Sequence, residues 1–322
     1  MKKIRWGIIG LGEIANKFAQ AVTKMDNVEL VSVASRSKEK SIAFGDKYNV
    51  AIDRCYGSYE DIVKDDDVDV IYVAVPHPFH KDISIMCLKN KKAVLCEKPV
   101  TINEDEVREV IKAAEENKVF FMEAMKTRFL PINKKVKEWI DEGRIGEVRL
   151  LQADFGFKAD FDPLGRLYNK ELGGGALLDV GIYTISYSSF IFGNKPICIG
   201  SNLYIGSTGV DECVSINLTY EEGKQAQLYG AINVNSKREA NIIGAEGRIC
   251  VERFSSSDTA TLTVNGNEEK IYMPFDINGF EYQINEVVDC INKGKLQSEI
   301  MSWQDSIEIM RIMDEVKAKG IK

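Results

Sequence analysis

The first 120 residues alternate between short apolar runs and longer segments in which apolar side chains recur at helical spacing. Buried strands are predicted for residues 4–9, 28–34 and 68–75, because these runs are short, apolar and rich in β-branched residues. Helical spacing in residues 13–25 and 104–117 predicts amphipathic helices between the strands. This alternation predicts a doubly wound parallel sheet of the Rossmann type, an α/β architecture.

After about residue 125 the pattern changes to the alternation of apolar and polar positions that is typical of half-buried strands. Such strands are predicted at 147–157, 213–220, 225–234 and 260–264, and turns rich in Gly, Asn and Ser separate them. Two helices are predicted near the end of the chain, at 283–292 and 303–319. We therefore expect a C-terminal α+β domain with a large, mostly antiparallel open sheet.

Composition narrows the class of protein. The 322 residues are 44% hydrophobic and 28% charged, which fits a soluble protein of two domains. The net charge of -7 repels phosphate backbones, so no nucleic-acid partner is expected. The apolar runs are shorter than a membrane span and the N-terminus lacks a signal-peptide core. Seven scattered cysteines without C-x-x-C indicate reduced thiols and no zinc site, so we expect a cytoplasmic protein.

A glycine motif follows the first predicted strand. The segment Gly10-Leu11-Gly12-Glu13-Ile14-Ala15 fits G-x-G-x-x-G/A and opens the first predicted helix. Gly10 permits a tight turn, Gly12 lets the backbone approach a pyrophosphate, and Ala15 allows close packing of helix and strand. The helix N-terminus would then face the phosphates. The alternative is a purely structural glycine turn.

The end of the second strand indicates which nicotinamide cofactor fits. NAD enzymes usually carry Asp or Glu there, for the ribose 2′-hydroxyl. This chain has Ala34-Ser35-Arg36-Ser37, with no carboxylate. A hydroxyl beside an arginine suits a 2′-phosphate, so NADP is preferred over NAD. The alternative is that Arg36 is a solvated surface residue.

Both histidines lie in Val75-Pro76-His77-Pro78-Phe79-His80, at the end of the third strand. Ligands of doubly wound sheets bind at this end of the strands. A metal site is disfavoured, because no further histidine and no cysteine cluster accompany the pair. The prolines predict a rigid turn, so contact of Pro76, His77 and His80 with the nicotinamide half of the cofactor and a structural role both stay open.

Two further segments carry candidate chemistry. In Cys96-Glu97-Lys98-Pro99 the proline forces the preceding residue to be extended, which would project Lys98 into the cofactor cleft; the alternative is a loop lysine in solvent. Three glycines at 173–175 lead into an apolar helix, in which Asp179 and Tyr183 are four residues apart and share one face. An acid and a phenol on an apolar stretch require a partner or a function.

These segments together resemble the glucose-fructose oxidoreductase / inositol dehydrogenase / rhizopine catabolism protein family over essentially the whole chain. Within it, the chain is similar to the dimeric dihydrodiol dehydrogenase branch, which shares the His-Pro-x-His segment of residues 77–80, the Met-Glu-Ala segment of residues 122–131 and the Asp-x-Gly-Ile-Tyr helix. Many relatives have His in place of Tyr183, and sugar-oxidising members often have Asn in place of His77. These two departures weigh against an inositol-type substrate.

The resemblance implies that Lys98, Asp179 and Tyr183 form the catalytic site. Free tyrosine has a pKa of about 10, so a neighbouring Lys98 ammonium would be needed to stabilise the phenolate. We assign Tyr183 as acid/base, Lys98 as its electrostatic partner and substrate anchor, and Asp179 as orienting group. The expected cofactor residues are Gly10, Gly12, Glu13, Ile14, Ala15, Ser35, Arg36, Pro76, His77, His80, Glu97 and Lys98. Arg128 and Arg166 could bind substrate, or could equally be structural ion-pair partners.

The expected domains are an NAD(P)-binding Rossmann domain at 1–122 and a substrate-binding and oligomerisation domain at 123–322, with closing helices able to pack back on the first. The expected function is hydride transfer between NADP(H), or NAD(H), and a secondary alcohol or carbonyl of a sugar, polyol or trans-dihydrodiol. One alternative is a non-catalytic NAD(P)-binding regulator of the same fold. Another is a sugar oxidoreductase whose cofactor does not dissociate.

The predicted open sheet requires a cover, because antiparallel sheets bury one face on their own helices. Apolar residues recur on neighbouring strands, at Ile216, Leu218, Ala226 and Leu228. We expect this surface to pair with a second copy in a homodimer or homotetramer. The alternative is that the loop of residues 158–172 covers it.

Overall fold

The computed structural model describes residues 3–320, which form two compact units. The first unit comprises the chain up to Thr101, Asp105–Ala124 and Asp276–Ser306. The second comprises Ile102–Glu104, Met125–Phe275 and the chain from Ile307 onwards.

The first unit contains a six-stranded parallel sheet of the Rossmann order β3-β2-β1-β4-β5-β6. Its strands are β1 (Ile4–Ile9), β2 (Val28–Ala34), β3 (Cys55–Tyr56), β4 (Val70–Val73), β5 (Ala93–Glu97) and β6 (Phe121–Ala124). The intervening helices are α1 (Glu13–Val22), α2 (Lys38–Lys47), α3 (Tyr59–Ile62), α4 (His80–Lys89) and α5 (Glu104–Asn117). The predicted parallel α/β sheet is confirmed.

Aromatic side chains fix α1 on this sheet. The ring of Phe18 stacks on that of Tyr72 from β4, with 3.8 Å between centroids, and meets Trp6 from β1 edge-on at 5.2 Å. All three side chains are fully buried. Because burial of one such side chain contributes about 1.5–3 kcal/mol, this contact fixes α1 on the sheet.

The second unit contains an eight-stranded sheet of order β14-β13-β12-β11-β7-β10-β9-β8. Its elements are α6 (Pro131–Asp141), β7 (Val148–Gly156), α7 (Ile182–Phe192), β8 (Cys198–Ile205), β9 (Asp211–Thr219), β10 (Gln225–Ala231), β11 (Ala240–Gly244), β12 (Gly247–Val251), β13 (Thr259–Val264) and β14 (Asn267–Tyr272). Only β7 and β10 pair in parallel. The expectation of a large, mostly antiparallel sheet is confirmed.

Two helices close the described chain, α8 (Glu281–Asn292) and α9 (Trp303–Lys319). α8 belongs to the first unit, and α9 lies in the second unit from Ile307 onwards. In the first unit, the indole N–H of Trp303 donates to the carbonyl of Phe121 across 2.9 Å. The start of α9 is therefore fixed to the end strand of the parallel sheet.

The apolar residues that the sequence assigns to the open face of the second sheet lie on its other face. Ile216, Leu218, Ala226 and Leu228 are at most 3% exposed, so they form the core of their own unit. The prediction that these side chains form an interface is wrong, because the strand alternation has the opposite phase.

The opposite face of this sheet is polar. Gln152 on β7 donates to Gln227 on β10 across 2.8 Å, and Asn217 on β9 is the register partner of Gln227. These side chains, with Asp154, Ser215, Tyr229 and Asn241, line a shallow depression of about 450 Å³. The loop at 158–172 does not supply its lining; within it, Tyr168 packs with Val180 and Ile232.

A helical stretch from Lys170 to Phe192 is long and apolar enough to cross a membrane by length and composition alone. However, 83% of its most apolar window is buried inside the protein. Core helices of soluble proteins have the same property, so the stretch is weak evidence for a membrane span.

Candidate active site

The glycine loop of the first unit leaves room above the N-terminus of α1. Gly10 has φ +89°, and a Cβ there would lie 2.5 Å from the carbonyl oxygen of Ala74, so only glycine fits the turn. A Cβ on Gly12, in contrast, would meet nothing within 4 Å. Gly12 is the N-cap residue of α1, so no side chain caps the N–H groups at the start of this helix. Ala15 is fully buried. Open space beside the N–H groups of a helix start is the form of a phosphate cradle.

The end of β2 presents a hydroxyl and an exposed guanidinium. Ser35 is buried and its Oγ accepts a hydrogen bond from the N–H of Ser37 across 3.3 Å. Arg36 is exposed, and its charge acts on the hydroxyl of Tyr59 on α3. Burial raises the pKa of Tyr59, and the charge of Arg36 opposes that rise. The guanidinium therefore lies at the surface, on the side of Tyr59.

The histidines after β4 are both buried. The ring of His80 is fully buried, with Nδ1 2.7 Å from the carbonyl oxygen of Pro99 and Nε2 2.8 Å from that of Val75. Burial is the largest influence on its pKa, which it lowers to about 4. A neutral ring carries one N–H and donates to one of these carbonyls at a time. His80 thus links the turn at Pro76 to the loop after β5, and the ring of His77 meets it edge-on at 5.8 Å.

The segment Glu97-Lys98-Pro99 is fixed on its N-terminal side by a hydroxyl that sequence reasoning missed. Tyr72 on β4 donates to Oε1 of Glu97, and Oε2 of the same carboxylate accepts from the N–H of Lys98 across 3.3 Å. Glu97 is 9% exposed and Tyr72 is fully buried. The peptide bond between Lys98 and Pro99 is cis.

A second missed residue, Glu123 on β6, fixes the other side of this segment. One carboxylate oxygen accepts from the N–H of Val100 across 3.0 Å, and the other accepts from the hydroxyl of Ser306 across 2.7 Å. Glu123 is 1% exposed. A lone carboxylate in the apolar run Phe-Phe-Met-Glu-Ala was the signal that could have identified it.

In the second unit, Asp179 lies in a π-helical turn, Leu177–Gly181, that leads into α7. Arg166 donates through Nη1 to Oδ1 of Asp179 across 2.8 Å. The sequence predicted a regular helix here, and the structure differs by this wider turn, of a kind that often occurs at functional sites. A Cβ on Gly230 of β10 would lie 3.1 Å from the Cα of Gly181, so the turn lies directly on the sheet backbone.

Tyr183 is partly exposed in the first turn of α7. Its ring is 5.3 Å from that of Phe155 on β7, at an interplanar angle of 38°. The guanidinium carbon of Arg238 lies 5.1 Å from the ring centroid of Phe155. The phenol ring of Tyr183 therefore packs against an aromatic side chain of its own unit.

The two candidate substrate arginines differ in environment. Arg128 is 5% exposed, and it donates to the hydroxyls of Ser186 and Ser189 on α7 across 3.3 and 3.2 Å. Arg166 is 44% exposed at its side chain, and it pairs with Asp179. Arg166 thus has the ion-pair partner that one alternative expected. Arg128 instead hydrogen-bonds to hydroxyl groups in the core. Among residues 3–320, His, Cys, Asp and Glu side chains form no group of three that could hold a metal ion.

Comparison with known proteins agrees with this architecture. Residues 4–125 match the family model described as "Oxidoreductase family, NAD-binding Rossmann fold", and residues 133–250 match the model of the GFO/IDH/MocA C-terminal domain. A trans-1,2-dihydrobenzene-1,2-diol dehydrogenase of Xenopus laevis is 40% identical over 97% of this chain and 96% of its own length. The Homo sapiens protein of the same name is 33% identical over 99% and 97%.

Solved structures share the fold. A 3-ketoreductase from Actinomadura kijaniata, crystallised with NADP and TDP-benzene, aligns over 99% of this chain and 98% of its own, with a TM-score of 0.90 and 24% identity. An aldose-aldose oxidoreductase from Caulobacter crescentus aligns over 99% and 97%, with a TM-score of 0.91 and 23% identity. The full-length relatives and the two domain matches together show that the chain belongs to the Gfo/Idh/MocA oxidoreductases, a family with an NAD-binding Rossmann domain.

Proposed function

We propose that the chain is an NADP-dependent dehydrogenase/reductase of CH–OH groups, and that its substrate is a trans-dihydrodiol or a related sugar or polyol. The observation that carries this proposal is the pairing of Asp179 with Arg166 one helical turn before a partly exposed phenol, Tyr183. The diol class is favoured because relatives with 33–40% identity over the full chain are named as trans-1,2-dihydrobenzene-1,2-diol dehydrogenases.

The first unit has features that fit a dinucleotide. The N–H groups around Gly12 would hold the pyrophosphate, since a Cβ there would fill otherwise open space. Ser35 and Arg36 would hold a 2′-phosphate, because no carboxylate stands at the end of β2. Pro76 and His77 would contact the nicotinamide half, and His80 would hold that turn in place. The bound nicotinamide supplies the hydride acceptor or donor at its C4.

Tyr183 is the proposed proton-transfer group. Oxidation of an alcohol requires a base that takes the hydroxyl proton as hydride leaves, and reduction requires the same group as acid. A phenolate is accessible near neutral pH only beside a positive charge, which the ammonium of Lys98 would supply. Asp179, held by Arg166, would orient the substrate hydroxyl towards the phenolic oxygen. Glu97 would fix the backbone of Lys98.

We further propose that the protein is cytoplasmic and forms a homodimer or homotetramer through the polar face of the second sheet. The amide side chains of Gln152, Asn217 and Gln227 could hydrogen-bond to the same residues of a second copy, because a two-fold interface brings one patch onto itself. We expect a small-molecule substrate, and neither nucleic acid nor membrane as partner.

A substrate screen with a matched pair of variants tests the proposal. The native protein is assayed with NADP and NAD against a trans-dihydrodiol, aldoses and inositol, in both directions. Tyr183→Phe should lower kcat by about 10²–10⁴-fold and leave the Kd of NADP unchanged. Tyr204→Phe, at a side chain 58% exposed on β8 of the same unit, should match the native enzyme. A native kcat for Tyr183→Phe would show that another group transfers the proton.

A further inference from the structure

Asp211, the first residue of β9, holds the start of the helix that carries Asp179 and Tyr183. Its Oδ2 accepts a hydrogen bond from the N–H of Leu177, the first residue of the π-helical turn, across 2.6 Å. No motif identified in the sequence includes Asp211. The carboxylate therefore binds the first N–H group of a helix that begins 34 residues earlier in the chain.

The same carboxylate explains one of the three glycines before the helix. Gly175 has φ +117°, and a Cβ there would lie 2.3 Å from Oδ1 of Asp211. A side chain at this position would displace the carboxylate from the helix start. Gly175 and Asp211 therefore form one contact between β9 and the start of the π-helical turn.

The far end of the π-helical turn is fixed by a different strand. Gly181 lies against Gly230 of β10, where a Cβ would come within 3.1 Å of backbone atoms. Asp179 stands between the two fixed points, and Tyr183 follows the second of them. A displacement of the Leu177 end would therefore be taken up at Asp179.

We propose that Asp211 is a positioning residue, which sets the place of Asp179 and Tyr183 by holding the N–H group of Leu177. This inference rests on the proposed function of Asp179 and Tyr183. A carboxylate suits this position better than a neutral group, because the exposed N–H groups of a helix start carry partial positive charge.

The protonation of Asp211 should matter in the range of ordinary assays. Burial raises the pKa of this carboxyl from 3.8 to about 6, opposed by its backbone hydrogen bonds and by the ammonium of Lys317 from α9. Glu212, the next residue of the strand, bonds instead to Asn233. Below pH 6 the protonated carboxyl has lost its charge, so its hydrogen bond with the N–H of Leu177 is weaker. Turnover should therefore fall as the pH falls through about 6.

The experiment compares Asp211→Asn and Asp211→Leu with the native enzyme. The asparagine keeps one oxygen acceptor without charge, so kcat should fall about tenfold, and the leucine keeps none, so kcat should fall about 100-fold. The Kd of NADP should stay within about twofold, since the expected cofactor residues are elsewhere in the chain. The acid limb near pH 6 should be absent from the pH profile of Asp211→Asn.

Glu212→Gln is the matched control, because it neutralises the neighbouring carboxylate of the same strand without touching the helix start; it should retain both kcat and the acid limb. If Asp211→Asn keeps the native kcat and the limb near pH 6, the inference is wrong. If the leucine variant does not fold, the asparagine variant decides alone. A native kcat in Tyr183→Phe would instead overturn the proposed function, so the two failures are distinguishable.

Discussion

The guanidinium of Arg166 and the carboxylate of Asp179 are joined by one hydrogen bond of 2.8 Å, although the arginine side chain is 44% exposed and the carboxylate only 10%. Because the guanidinium is exposed, solvent screens the attraction between the two charges. The pair therefore contributes little to stability and mainly fixes the direction of the Asp179 oxygens.

We expect Arg166→Ala to lower kcat about tenfold, because Asp179 then loses its fixed orientation. The free energy of unfolding should change by less than about 1 kcal/mol, as for other solvent-screened pairs. Urea unfolding and steady-state kinetics measure the two effects. Arg149→Ala, which removes an exposed arginine paired with Glu147 in the same unit, should change neither quantity. An Arg166→Ala enzyme with native kcat would leave Asp179 independent of its partner.

Replacement of Lys98 by alanine should change the pH dependence as well as the rate. Without the ammonium, the pKa of the phenol proposed as proton-transfer group, Tyr183, should move up towards the value of free tyrosine, about 10. Alcohol oxidation at neutral pH should then fall by about 10²–10⁴-fold and recover as the pH is raised. The pH profile of kcat/KM measures this shift. Lys89→Ala, an exposed lysine of the same unit, serves as control. A uniform loss of rate at every pH would contradict the electrostatic function of Lys98.

Arg36→Ala should weaken NADP binding about tenfold or more and leave NAD binding unchanged, because only NADP carries the 2′-phosphate. Fluorescence titration with each dinucleotide gives the two Kd values. Lys24→Ala removes an exposed cation elsewhere on the first unit and should leave both values native. Equal affinity of the native protein for NADP and NAD would contradict the proposed preference.

The two faces of the second sheet predict opposite outcomes for two adjacent substitutions. Gln227→Lys should dissociate an oligomer and leave Tm nearly native, because the exposed amide is replaced by a charge that repels its symmetry mate. Leu228→Glu should instead destabilise the protomer by several kcal/mol, because it places a carboxylate in the core. Light scattering and thermal unfolding separate the two effects. A native protein of 36.1 kDa in solution would contradict the proposed assembly.

Much of the fold could be predicted because the apolar pattern along the chain has the period of the strand or helix that forms there. The predicted bounds of β1, β2, α5 and α9 are those observed. The face of the second sheet could not be predicted from Leu228 and its neighbours, since alternation reports that a strand has two faces and not which one meets a helix.

The missed residues share a different cause. Tyr72 stands in Val-Ile-Tyr-Val, a strand buried on both faces, so its hydroxyl leaves no periodic signal. Asp211 meets Leu177 only through tertiary folding, and no local spacing relates the two. The Lys98, Asp179 and Tyr183 segments could be identified because glycine and proline mark the backbone around them.

The segment around Lys98 is held by buried side chains from three separate elements: Tyr72 from β4 through Glu97, His80 from α4, and Glu123 from β6. Each of these anchors is internal to the first unit. We expect this backbone to vary little with substrate, because replacing any one of these core side chains would leave a buried polar group without its hydrogen bond. Differences in substrate among relatives should therefore lie mainly in the loops and strand ends of the second unit.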